Sequence, residues 1–139
     1  MRIIEEAKNL IVDGKARLVF IKNDKIVLTK TRFGVGAALE AFENDRELVN
    51  GADVVDKIVG KGAGMIFALC GVQSVYALVI SKSAIEVLHQ NGIDVGWEKC
   101  VDFIKNKNGD DVCPIEQCVA NISNLQEGLE AIRHCISKL

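Results

Sequence analysis

The stretch that most restricts what this chain can fold into is 51–71, GADVVDKIVGKGAGMIFALCG, which joins its most apolar pattern to its densest group of glycines. At about 100° per residue from Asp53, Val54, Ile58, Met65 and Leu69 fall on one side of a helix, and Val55, Val59, Ala63, Ile66 and Cys70 extend the same arc. More than half of the circumference would then be apolar. Such a pattern predicts a core helix over 53–70, sandwiched between layers. The narrow polar strip left on it carries Asp53, Lys57, Gly60, Lys61 and Gly64, with Asp56 at its edge.

A buried helix needs enough chain to bury it, and 139 residues suit one domain over 1–139 with a sizeable core and no linker. With 49% hydrophobic residues and a net charge of −2, neither disorder nor the electrostatic footprint of a nucleic-acid-binding protein is expected. Five phenylalanines, one tyrosine and one tryptophan, without basic residues interleaved, also argue against stacking on single strands. The opening MRIIEEAKNL lacks the apolar core of a secretion signal, and no apolar run is long enough to cross a bilayer. A soluble, cytoplasmic protein without membrane partners is expected. The five cysteines, at 70, 100, 113, 118 and 135, then point to reduced thiols and not a disulfide framework, with Cys70 and Cys135 on apolar helical faces.

Elsewhere the pattern is more conventional. Ile3, Ile4, Ala7, Leu10 and Ile11 recur at helical spacing before Gly14, predicting an amphipathic helix over 2–12. The β-branched runs 17–20 and 25–31 flank Asn23-Asp24 and predict a two-stranded hairpin. In TRFGVGAALEAFEND, two glycines open a helix with Ala38, Leu39 and Phe42 inward and Glu40 and Glu43 outward. The run 75–81, VYALVIS, reads as a central strand covered on both faces. Ser83 with Glu86 forms a capping box for a helix closed by Gly92, and strand character returns over 100–104 before a turn over 106–111 shaped by Asp110 and Asp111. Pro114 suits the first position of a short helix with Glu116 in its first turn, and Asn124 caps a last helix carrying Leu125, Leu129, Ile132 and Ile136. These elements predict a three-layer α-β-α sandwich around a mixed sheet of four or five strands, with the hairpin at one side.

The order of hairpin, buried helix, strand, helix, strand and a helix opening at Cys-Pro resembles the cytidine deaminase-like fold. Within it, FGVGAALEAFE, GADVVDKIVGKGAG, GVQSVYALVIS and VDFIKNKNGDDVCPIEQC are similar to a small bacterial and archaeal family known only as a domain of unknown function. The resemblance implies the fold and no activity. Zinc deaminases carry His/Cys-x-Glu and Pro-Cys-x-x-Cys at two helix starts. Here VVDKIVGKGAG offers neither His nor Cys, and aligning Pro114 with the motif proline puts Ile115 and Cys118 in the thiolate positions. One ligand does not make a catalytic zinc site, which needs three from the protein, and His89 and His134 lie late in helices. No metal or cofactor is expected.

Lys57 and Lys61, spaced i, i+4 near a helix start, repel each other and oppose the macrodipole, so local stability does not select them. A phosphate or carboxylate held there, with Gly60 and Gly62 allowing close approach, would account for both. Pairing of Lys57 with Asp53, and glycines that only admit a neighbour, is the plainer account. Neither a phosphate loop nor a dinucleotide fingerprint fits, because Val55, Gly62 and Met65 stand where those motifs need other residues. Cys113 precedes a helix start that favours its thiolate; a buried structural thiol is the alternative. Glu116 caps its own helix or faces the same cleft as Lys61. Three functions follow. One is binding of a small anionic ligand, a nucleotide or phosphorylated metabolite, by Lys57, Gly60, Lys61, Gly62 and Cys113 between two helix starts. Another is a non-zinc transferase or hydrolase using Lys61, Asp56, Cys113 or Glu116. The third is a homo-oligomer subunit, a homodimer for example, meeting around Phe33, Trp97 or Phe103.

Overall fold

The computed structural model describes residues 2–32, 34–106 and 108–138; Phe33 lies outside them. Helix α1 (Arg2–Val12) leads into the hairpin of β1 (Leu18–Lys22) and β2 (Lys25–Lys30). The hairpin closes because Asn23 and Asp24 both take left-handed φ, 53° and 60°, the two-residue turn whose twist matches antiparallel strands. Helix α2 (Gly34–Asn44) follows and buries Ala37, Ala38, Ala41 and Phe42. The one-turn helix α3 (Arg46–Val49) is too short to show a period and is not foreshadowed in the sequence.

The main correction concerns 51–71, which is not one helix. It folds as strand β3 (Asp53–Val59), a cap at Gly60 with extended backbone, and helix α4 (Lys61–Cys70), stopped by Gly71 at φ 73°. Strand β3 lies in the middle of the sheet, and Val54, Val55 and Val59 are all fully buried. A strand apolar on both faces loses the alternation that would mark it, and its pattern fits a helical arc equally well. Lys57 and Lys61 therefore do not share a helix face. Nor does Asp53 pair with Lys57: its carboxylate accepts from Ser74 Oγ at 2.5 Å and Gln73 Nε2 at 3.0 Å, while the Lys57 side chain is exposed.

The chain continues through β4 (Ser74–Ser81), α5 (Lys82–Gln90), β5 (Asp94–Val101), α6 (Pro114–Val119) and α7 (Leu125–Ser137). The five strands stand in the order β2-β1-β3-β4-β5, antiparallel through β1 and parallel from β3 onward. Thus β3, not 75–81, is central, and β4 alternates buried Val75 and Ala77 with half-buried Tyr76 and Leu78. The cap of α5 is Ser81, whose Oγ accepts from Ala84 N at 3.3 Å, with Ser83 only touching the Ser81 hydroxyl. The last strand begins six residues earlier than 100–104 suggests, at Asp94, because Gly92 ends α5 at once with φ 72° and leaves 94–99 free to pair.

The layers are unequal. On one face of the sheet, α2, α4, α5, α6 and α7 enclose the main core, where Phe20 meets Phe67 edge-on at 6.2 Å. On the other, α1 alone sets Ala7 and Ile11 against Val19, Ile21 and Val55, reinforced by Lys8, which reaches Glu98 at 2.7 Å and lies over the Tyr76 ring. The result is a mixed α/β sandwich with a five-stranded sheet. Among the described residues, no helix is long and apolar enough to cross a membrane.

Candidate functional site

A groove of about 700 Å³, within the range of small-ligand pockets, opens at the carboxyl ends of the parallel strands. Its floor is set by register: Ile58 pairs with Val79, and Val79 with Lys99. Open α/β sheets bind ligands outside these ends of their strands. The walls are the chain leaving β5, Val101 to Lys105, and its return at Asp110, Asp111 and Val112. These two segments are tied by a bridge between Lys105 and Val112 and by Asn106 N–H donating to Asp111 O at 2.9 Å, while Gly109 takes the left-handed φ of 73° that the turn requires.

The charges in the groove are not equivalent. Asp102 pairs with Lys82 at 2.9 Å, Asp110 accepts from the Asn106 side chain at 3.0 Å, and Asp111 accepts from Val112 N at 2.7 Å. Lys99 and Lys105 are exposed and have no ion-pair partner among the described residues. Beside them stand Ile58, Val79, Val101, Phe103 and Ile104, so an apolar floor meets two uncommitted cations.

The groove is anchored to α4 through α6. Glu116, only 6% exposed, accepts from Lys61 N at the first turn of α4 with one carboxylate oxygen and from Ile104 N at 3.4 Å with the other. Cys113 N–H donates to Ile104 O at 2.8 Å, so both polar groups of the Ile104 backbone are held by α6. In return, the Lys61 ammonium donates to Ala120 O at 3.2 Å, where the end of α6 leaves carbonyls without helical partners. The anion that the α4 start attracts is therefore a carboxylate of the chain itself.

A family model described as TM1506, domain of unknown function DUF1893, matches residues 6–136. The chain belongs to the DUF1893 family. Its fold is similar to the crystal structure of the DUF1893 family protein TM1506 from Thermotoga maritima, with a TM-score of 0.83 at 23% identity, covering 100% of this chain and 91% of that one. No curated protein matches the chain.

The other residues singled out in the sequence of this DUF1893 chain are dispersed. Gly60 and Gly62 serve close packing: a Cβ on Gly60 would stand 2.7 Å from Glu116 Oε1, and one on Gly62 would stand 2.6 Å from Ile115 Cγ2. Glu116 does not cap its own helix; it serves α4. Cys113 is half-buried against the main core, and Lys57 is an exposed strand residue. Asp56 is buried in β3, where desolvation lifts its carboxyl to about 7 against the opposing influence of the Lys57 N–H, Arg17 and the Ile58 N–H. Its Oδ1 accepts from Lys57 N at 2.7 Å. None of Lys57, Gly60, Lys61, Gly62, Cys113, Asp56 and Glu116 lines the groove. Among the described residues no three His, Cys, Asp or Glu side chains gather to hold a metal. Lys99 and Lys105 were hidden in the sequence because β5 starts earlier than its pattern suggests; the one signal for them is that they flank the mostly apolar run CVDFI at 100–104.

Proposed function

We propose that this DUF1893 chain, on a cytidine deaminase-like scaffold, binds a small anionic organic molecule, a nucleotide or phosphorylated metabolite, in the groove at the ends of β3, β4 and β5. The observation that carries this reading is the pair of ammonium groups without an ion-pair partner among the described residues, Lys99 and Lys105, set beside an apolar floor, while Asp102 is ion-paired with Lys82 and Asp110 and Asp111 accept hydrogen bonds from Asn106 and Val112. The ligand's ring or chain lies on Ile58, Val79 and Val101, and its charged group faces the lysines, which act as point charges for phosphate. The α4 start is a poorer site, because a ligand there would have to displace Glu116 from two backbone N–H groups. The engagement of Lys61 and Glu116 with each other's helices also weakens their use as catalytic groups.

A thermal-shift screen of nucleotides and sugar phosphates tests the reading, since a ligand of the native state raises the midpoint by mass action. At least one phosphorylated compound should stabilise the protein, and Lys99→Ala with Lys105→Ala should remove the shift while leaving the unliganded midpoint within about 2 °C, as befits surface substitutions. A screen without hits, or hits indifferent to both lysines, refutes it.

A further inference from the structure

Three of the five cysteines surround α6, and two of them face each other across its packing with α7. The Cys118 thiol donates to Ala131 O at 3.2 Å, and Ala131 lies one turn before Cys135 on α7. The Cys135 thiol in turn reaches Pro114 O at 3.9 Å, and Pro114 lies one turn before Cys118 on α6. Each sulfur thus rests over the turn preceding the other cysteine, the direction in which helical side chains lean. This reciprocal placement brings the two thiols together at the helix crossing. Burial pushes the Cys135 thiol up, and its hydrogen bond with Cys118 adds to the effect. Both side chains are half-buried, within reach of a small reagent. Both are free thiols, as are the buried Cys70, the exposed Cys100 and the half-buried Cys113.

We propose that Cys118 and Cys135 are a dithiol site for low-molecular-weight disulfides, closing reversibly into a Cys118–Cys135 disulfide that staples α6 to α7. With glutathione disulfide as oxidant, the Cys118 thiolate attacks one of its sulfurs, giving a mixed disulfide and releasing one glutathione thiolate. The Cys135 thiolate then attacks the Cys118 sulfur, the protein disulfide forms, and the second glutathione leaves as thiolate. Two electrons and two protons pass from the protein to the reagent, which ends as two glutathiones. Burial pushes the Cys135 thiol up and so disfavours it as the first nucleophile, because the thiolate is the reactive form. The helix carrying Cys118 also carries Glu116, so the staple fixes the element that grips the start of α4 and the backbone of Ile104.

The chemistry does not depend on the ligand proposed for the groove, and it is tested on the full chain without one. Reduced native protein is incubated with glutathione disulfide, free thiols are blocked, and non-reduced peptides are mapped by mass spectrometry after cleavage at Glu116, which separates Cys113 from Cys118. The expected result is a peptide pair joined through Cys118 and Cys135, lost on addition of dithiothreitol, with a higher thermal midpoint for the oxidised protein. Cys118→Ser should leave Cys135 unlinked, with the native circular dichroism retained. Separate glutathione adducts on Cys118 and Cys135, a link from Cys135 to Cys113 in place of Cys118, or a link formed only in urea would each overturn the proposal.

Discussion

Replacing Asp56 with asparagine removes a buried carboxyl whose ionisation works against the fold. Its pKa rises from 3.8 to about 7, chiefly by desolvation. At about 1.4 kcal/mol per pH unit, ionising it inside the protein costs about 4 kcal/mol more than ionising it in the unfolded chain. That is a large fraction of the ~5–15 kcal/mol that holds a domain together. Between about pH 4 and 7 the native state keeps this proton while the unfolded state loses it, so this group's contribution falls as pH rises and is flat above 7. Asparagine cannot ionise, and it keeps an oxygen to accept from Lys57 N–H, the bond that Asp56 Oδ1 makes at 2.7 Å. Its amide brings donors that need acceptors, an offset of about 1–3 kcal/mol at every pH. Urea unfolding of both proteins from pH 4 to 8 should therefore show the variant gaining on the wild type by about 4 kcal/mol across the series, whatever the constant offset. A difference that does not change with pH would refute the reasoning. A variant that loses ground toward pH 8 would show that attraction from Arg17 outweighs desolvation.

Glu116→Ala strips acceptors from Lys61 N and Ile104 N and should lower stability by about 2–4 kcal/mol in urea unfolding, whereas Glu116→Gln keeps the shape and should lose about half as much. Gly62→Ala drives a methyl to 2.6 Å from Ile115 Cγ2 in a packed core and should cost about 1–3 kcal/mol by the same measurement. Gly128→Ala meets the flexible end of Met65, at 2.6 Å from Cε and 2.7 Å from Sδ, and recovers about 1 kcal/mol of helix propensity, so it should be close to neutral.

Local chemistry was legible where one residue type has one physical use. Asn23-Asp24 made the hairpin turn through left-handed φ, Pro114 opened α6, and Asn124 Oδ1 caps α7 by accepting from Glu127 N at 2.9 Å. The architecture, helices on a mixed sheet with the hairpin at one edge, followed from the order of such elements. It failed at β3, because Val54-Val55 and Val59 carry no face preference once both faces are buried. The error spread to the site, since reading β3 and α4 as one helix placed Lys57 and Lys61 on a shared strip. The groove was not legible for another reason. It depends on where β5 begins and on how 102–112 folds back, and both are set by pairing partners distant in the chain.

The Gly60-Lys61-Gly62 segment shows how a ligand-like signature arises without a ligand. A helix start with unpaired N–H groups attracts an anion, and closely spaced glycines allow one to approach; both statements hold here. The anion supplied is Glu116, and what approaches is α6, whose Ile115 and Glu116 fill the space that side chains at 60 and 62 would occupy. Lysine at 61, adverse for its own helix, is compensated at the far end of α6 through Ala120 O, where a cation is favoured. Each helix thus supplies the charge that the other's terminus needs. The residues that looked most like a binding site hold the C-terminal helices against α4, and through Ile104 they hold one wall of the groove whose cations remain uncommitted.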